Sequence, residues 1–302
     1  MSIAFCSRPA APSHTGRAML LGLLGVAMFS LTMPFTRIAV AELDPMFVTF
    51  GRALGAAMLA AAWLAFKRAP LPPRDALAPL SAVAAGCIVG FPLLTSFALR
   101  TLPAFHGALL VGVLPLATAL YTALRGHERP SRGFWGMAVL GSSLVAAYAL
   151  VQGGGSLHMA DLLVFGAVAC AAIGYAEGGR LSRSLGGPET ICWALLLSAP
   201  ASLALLLWHG LPAASGVGLR AWLAFGYVTA ISMFIGFFFW YRGLALGGVA
   251  RVGQVQLLQP FLSLLGAALL LGEALTLGNC VFALAVAAVV FAGRKMAVHQ
   301  QK

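Results

Sequence analysis

Acidic residues are almost missing from this chain: eight Asp and Glu stand among 302 residues, against nineteen Lys and Arg. Charged residues of both signs make up only 9%, where a soluble domain carries about a quarter. Paired cysteines are missing too. Cys6, Cys87, Cys170, Cys192 and Cys280 share no paired spacing, and four lie in apolar runs, where a thiol behaves as a small hydrophobe. Neither a disulfide framework nor a metal site follows. There is no Gly-x-Ser-x-Gly elbow, no His-Glu-x-x-His and no Gly-x-x-x-x-Gly-Lys-Ser/Thr loop. An ATP-driven pump within this chain is thereby excluded, and no enzyme activity or cofactor is expected.

What the chain has instead is apolar surface: 61% hydrophobic residues and a mean hydropathy of +0.94. Lipid can absorb that much; a water-soluble core cannot. The net charge of +11 invites a nucleic-acid reading, but the basic residues stand singly or in pairs between apolar runs, as charges that orient membrane helices do.

One block occurs twice. Pro115 precedes Glu128 by 13 residues, and Pro260 precedes Glu273 by the same spacing, at an offset of 145 (260 − 115). Gly133 and Gly278 share that offset, while Arg37 and Pro45 meet Arg180 and Pro188 at 143. Apolar segments fall at about 18–41, 45–66, 76–98, 104–124, 133–151, 161–180, 190–208, 221–241, 252–271 and 275–293, each near the ~20 residues needed to cross hydrocarbon. The expected fold is an all-α polytopic membrane protein of ten transmembrane helices, divided into halves at 1–151 and 152–302.

With the N-terminus in the cytoplasm, fourteen Lys and Arg flank the spans inside and only Arg37, Arg100 and Arg220 outside, which puts both termini in the cytoplasm of a cell inner membrane. Five spans per half is odd, so the second half runs inverted. Ala39-Val40-Ala41 has the shape of a leader-cleavage site. Pro34 and Arg37 interrupt the run before it, and removing it would break the repeat, so the segment is expected to stay.

These residues carry a resemblance. Leu114-Pro115-Leu116 to Gly126-His127-Glu128, repeated as Gln259-Pro260-Phe261 to Leu271-Gly272-Glu273, with Pro34 and Phe50-Gly51-Arg52, resembles the EamA-type transporters of the drug/metabolite transporter superfamily. The likeness covers 18–293 and departs at Glu177, which occupies the place equivalent to Pro34. It implies two inverted five-helix repeats, helices 1–4 and 6–9 around a central space with 5 and 10 outside, and secondary export of amino acids, other metabolites or toxic compounds. The function expected is a transporter exporting a small amphiphilic metabolite, such as an amino acid, by alternating access. The rivals are an intramembrane enzyme and a structural or signalling membrane protein.

The candidate substrate contacts are Arg52, Thr95, Tyr175, Glu177, Trp193, Ser232, Gln254 and Gln256. Arg52 lies two turns into its span; it either anchors a substrate carboxylate, pairs with Glu42 or Asp44, or snorkels to headgroups. Glu177 either pairs with Arg180 one turn on or serves as a proton-coupling or amine-binding carboxylate. Gln254, Gln256 and Gln259 either bond between helices or line a path. Gly51-x-x-x-Gly55 and Gly86-x-x-x-Gly90 suit close helix packing. His106, equivalent to Arg251, reads as an interfacial group. Phe237-Phe238-Phe239-Trp240-Tyr241 reads as an interfacial aromatic belt, unless Trp240 faces a cavity.

Overall fold

A computed structural model describes residues 12–125, 128–152, 158–211, 216–247, 252–295 and 298–300. Cys6, His127, Gly153-Gly154-Gly155 and Arg251, with the side chains of Glu128 and Gln254, lie outside the described residues.

The chain is a helical membrane bundle. Seven helices are long and apolar enough to cross a bilayer: α1 Gly16–Val40, α2 Pro45–Lys67, α3 Arg74–Ala98, α4 Ala104–Leu124, α6 Met159–Leu185, α7 Gly187–His209 and α8 Leu219–Gly247. Three further helices, α5 Arg132–Gln152, α9 Val255–Leu271 and α10 Leu277–Lys295, carry shorter apolar stretches. The strands among the described residues are a three-residue antiparallel ladder of Glu128–Pro130 on Val298–Gln300. Large apolar side chains stand outward, Met58 at 70% and Leu269 at 76% exposure. In lipid such faces need no further cover.

Local chemistry sets the helix ends. The Asp44 carboxylate accepts from the Met46 N–H at 2.8 Å, capping α2 just before Pro45 at its first position. Pro188, the repeat partner of Pro45, stands at the second position of α7. The helices then pair in a pattern that survives exchange of the halves: α1 lies on α8 and α6 on α3, while α2 meets α7, α4 meets α9 and α5 meets α10. A two-fold relation between halves produces such reciprocal pairing. At the α3–α6 crossing the backbones touch. A Cβ on Gly86 would overlap the Cys170 carbonyl oxygen and stand 3.0 Å from the Gly174 nitrogen. In a bilayer this close packing replaces the hydrophobic effect between helices.

The irregularities repeat as well. α3 carries a wide π turn at Ala84–Gly90, and α8 carries one at Tyr227–Ile235. α4 breaks at Gly112-Val113 before Pro115, and the chain before Pro260 winds as a 3-10 segment, Gly253–Leu258. α1 breaks at Leu31, ahead of Pro34.

The aromatic run does not form a belt. Phe237, Trp240 and Tyr241 are buried, because spacings of three and four residues put them on one helical face turned toward α1 and α6. The Tyr241 hydroxyl donates to the Gly174 carbonyl at 3.1 Å. Phe238 turns to α2, its ring 5.1 Å from Trp63.

Candidate substrate cavity and its relatives

The helix breaks converge. A cavity of about 460 Å³, counting the open space at its mouth, is lined by Phe29, Thr32 and Met33 at the break of α1, by Arg52 of α2, and by Cys87 and Phe91 at the π turn of α3. Val111 and Leu114 flank the break of α4, Ala171 and Tyr175 come from α6, Ser232 and Phe237 from α8, and Gln259 from the start of the α-helical part of α9. Irregular backbone at membrane depth is tolerated where it lines a cavity rather than lipid. Several lining residues are repeat partners: Thr32 with Tyr175 (175 − 32 = 143), Cys87 with Ser232 (145) and Leu114 with Gln259 (145). The cavity therefore sits between the halves, where the two repeats meet. A smaller space beside it, about 190 Å³ with its open mouth included, lies between the two proline motifs and is lined by Pro115, Gln256 and Pro260 among others.

Of the candidate contacts, Arg52, Tyr175 and Ser232 meet on this cavity. Arg52 is 2% exposed, and its Nε and Nη1 are buried without a hydrogen-bond partner. Neither proposed partner holds it. Glu42 accepts from the Gly218 N–H at 2.6 Å, and Asp44 caps α2 and meets His209 at 2.9 Å. Thr32 and Ser232 share a hydroxyl–hydroxyl bond of 2.8 Å. Two hydroxyls bring two protons and use one between them, so one O–H remains to donate. Gln256 faces the smaller space, with its Nε2 unpartnered.

The remaining candidates stand elsewhere. Thr95 is buried, its hydroxyl donating to the Phe91 carbonyl at 2.7 Å and so satisfying backbone beside the π turn. Trp193 packs half-buried against the core. The Glu177 carboxylate is enclosed by Arg180 at 3.0 Å, the Tyr121 hydroxyl at 3.1 Å and Arg125 at 3.9 Å. Bonding to Tyr121, reinforced by the charge of Glu177, lifts the exposed Arg125 guanidinium above its ordinary range. Gln259 and Thr32 are cavity residues the sequence reading did not select. Their signal was the repeat: each is the partner of a residue on the same cavity.

His106 is not interfacial. It is 4% exposed, with its Nε2 2.7 Å from the carboxylate of Asp161, which also accepts from the His158 N–H at 2.9 Å. Asp161, 1% exposed, is thus a second acid inside the bundle besides Glu177. Glu273 accepts from the N–H groups of Ala104 and Phe105 at 2.7 and 2.8 Å, capping the start of α4 from the opposite half. The last two described acids stay at helix starts: Asp75 exposed in the turn entering α3, Glu189 in the first turn of α7. None of these seven acids lines the cavity that holds Arg52.

The sequence profile of the EamA-like transporter family matches this chain twice, over residues 16–150 and 158–293. The chain is 44% identical over 285 residues to the uncharacterized transporter YdeK of Bacillus subtilis (strain 168), covering 94% of this chain and 99% of that protein. A crystal structure at 20% identity aligns with a TM-score of 0.65 over 93% of this chain and 96% of its own, and so shares the fold. Two profile matches over most of the length, on a bundle whose halves pair reciprocally, leave one conclusion: this chain belongs to the EamA-like transporter family.

Proposed function

We propose that the protein is a secondary transporter of the cytoplasmic membrane that exports a small amphiphilic metabolite bearing a carboxylate. Two inverted five-helix repeats, residues 1–151 and 152–302, alternate access to the cavity between them, and both termini face the cytoplasm. The excess of Lys and Arg at one set of helix ends supports this orientation. Membership of a transporter family, with a transporter as close relative, favours transport over an intramembrane enzyme or a structural role.

The observation that carries the substrate assignment is Arg52. A buried guanidinium without a countercharge is expensive in hydrocarbon and is retained where it serves a ligand or an ion pathway. Its planar fork matches a carboxylate, the neighbouring O–H and the Gln259 amide add polar contacts, and Phe29, Tyr175 and Phe237 supply apolar surface. Helices broken on the same cavity provide the bends that alternating access needs.

Metabolite profiling of the medium from overexpressing cells, followed by uptake into proteoliposomes, tests the reading. Arg52→Gln should abolish transport in protein that remains inserted and monodisperse. Arg52→Lys should only weaken it, since Lys keeps the charge but not the fork. Normal transport by Arg52→Gln would overturn the assignment.

A further inference from the structure

We infer that the cavity selects a net monoanion, one carboxylate on an apolar or aromatic body, over zwitterionic amino acids and over amines. The inference rests on the transport reading above and narrows its substrate class.

The argument begins with charge. Among the described residues, Arg52 is the charged group on the cavity wall. Of the seven described acids, five are held by partners away from it, and Asp75 and Glu189 stand in the first turns of α3 and α7. A carboxylate entering beside Arg52 neutralises a buried cation. A zwitterion brings the same carboxylate with an ammonium attached one carbon away, close to the guanidinium and with no acidic side chain on the wall to receive it. That ammonium would lose its hydration and face a like charge.

Cation–π attraction is the other home an ammonium could find. The rings of Phe29, Tyr175, Phe237 and Trp240 are packed on one another, however, with centroids 4.9 to 6.3 Å apart, rather than opened into a cage. Hydrogen bonding points the same way. The buried nitrogens left unpartnered on the cavity wall, Arg52 Nε and Nη1, can only donate. A surplus of donors is satisfied by a ligand rich in acceptors, and a carboxylate is that; an ammonium adds three more donors.

Three probes that share a phenylethyl body isolate the charge: 3-phenylpropionate (anion), phenylalanine (zwitterion) and phenethylamine (cation). Their binding to the full-length protein in lipid nanodiscs at neutral pH is measured by titration calorimetry. The expected result is that 3-phenylpropionate binds roughly tenfold or more tighter than phenylalanine, and that phenethylamine does not compete. In Arg52→Gln the anion should lose that advantage, and in Arg52→Lys it should keep the preference at lower affinity. Equal or tighter binding of phenylalanine, or competition by phenethylamine, overturns the selection while leaving a substrate cavity in place. Retention of the anion preference in folded Arg52→Gln overturns the role of Arg52 in it. Absence of binding by all three overturns the cavity reading itself, and the selection with it.

Discussion

Glu273 offers the most direct test of how the halves are held together. Its two carboxylate oxygens each accept one backbone N–H at the start of α4, at 2.7 and 2.8 Å. Bonds to a charged acceptor contribute about 1.5–3 kcal/mol each, and the favourable end of the helix dipole adds about 0.3–1 kcal/mol. Glu273 is half-buried, so water can partly replace what is removed, and the lower part of each range applies. Glu273→Gln keeps one acceptor and loses the charge; it should cost about 1–2 kcal/mol. Glu273→Ala orphans both N–H groups and should cost about 2–4 kcal/mol.

A second substitution makes the test specific. Ala104 is the first residue of α4 and follows Pro103 in extended conformation, so proline suits its backbone. In the native chain the new ring would displace the Glu273 oxygen 2.7 Å from that nitrogen; with the carboxylate truncated to a methyl group it would have room. Ala104→Pro should therefore be costly in the wild type and nearly neutral in the Glu273→Ala background, with a coupling of about 1 kcal/mol or more. Midpoints of SDS unfolding in mixed micelles, followed by far-UV circular dichroism, read all four corners of the cycle. Strict additivity, or a Glu273→Ala midpoint equal to that of the wild type, would refute the cap.

Three further outcomes are expected. Gly86→Leu should destabilise the bundle by about 1–3 kcal/mol or more, because its side chain must displace the Cys170 carbonyl; an unchanged thermal midpoint in detergent would contradict the backbone contact. His106→Ala leaves Asp161 buried beside a lost partner and should cost about 3–5 kcal/mol, whereas a loss within the ~0.5 kcal/mol of a surface substitution would mean the pair carries no strain of burial. Glu177→Gln should leave the pH profile of transport unchanged, since Arg180, Arg125 and Tyr121 already occupy its carboxylate; loss of pH dependence in proteoliposomes would restore Glu177 as a coupling group.

The one-dimensional pattern carried the positions of the helices well. The spans expected at 45–66 and 104–124 meet helices at Pro45–Lys67 and Ala104–Leu124, because proline and the end of an apolar run are local signals. The depth of Arg52 was equally local. Rotation about each helix axis was not, since nearly every face of these helices is apolar and periodicity is weak when lipid and core look alike. That is why Trp240 and Tyr241 read as a belt although they lie inside, and why Gln259 was passed over beside Gln256. Asp161 was missed for a different reason. The expected span began on it, whereas the helix begins at Met159, and those two residues turn a flank charge into a buried capping group joined to His106.

Polar contacts join the halves at both sets of helix ends, with Tyr121 and Arg125 on Glu177 at one and a second group at the other, and this bears on how the cavity could open. Glu42 on Gly218, Glu273 on Ala104 and Phe105, Asp44 beside His209 and His106 on Asp161 all join the first half to the second near the helix ends at 41–45, 99–106, 158–161, 209–219 and 272–277. Most are bonds from backbone N–H groups to carboxylates at helix ends, where water partly replaces what is lost, so releasing each costs no more than about 1.5–3 kcal/mol. The crossing of Gly86 on Cys170 and Gly174 is different in kind: separating it opens a void that neither water nor lipid fills well. Motion that spares the crossings must then come from bending within helices. The places able to bend are the break at Leu31, the π turns of α3 and α8, and the interruptions before Pro115 and Pro260. Thr32, Cys87, Leu114, Ser232 and Gln259 lie at or beside those bends and also line the cavity. Under the alternating access proposed above, a ligand touching them contacts the residues whose geometry would differ between the two open states, which is the differential interaction a ligand must have to shift that equilibrium.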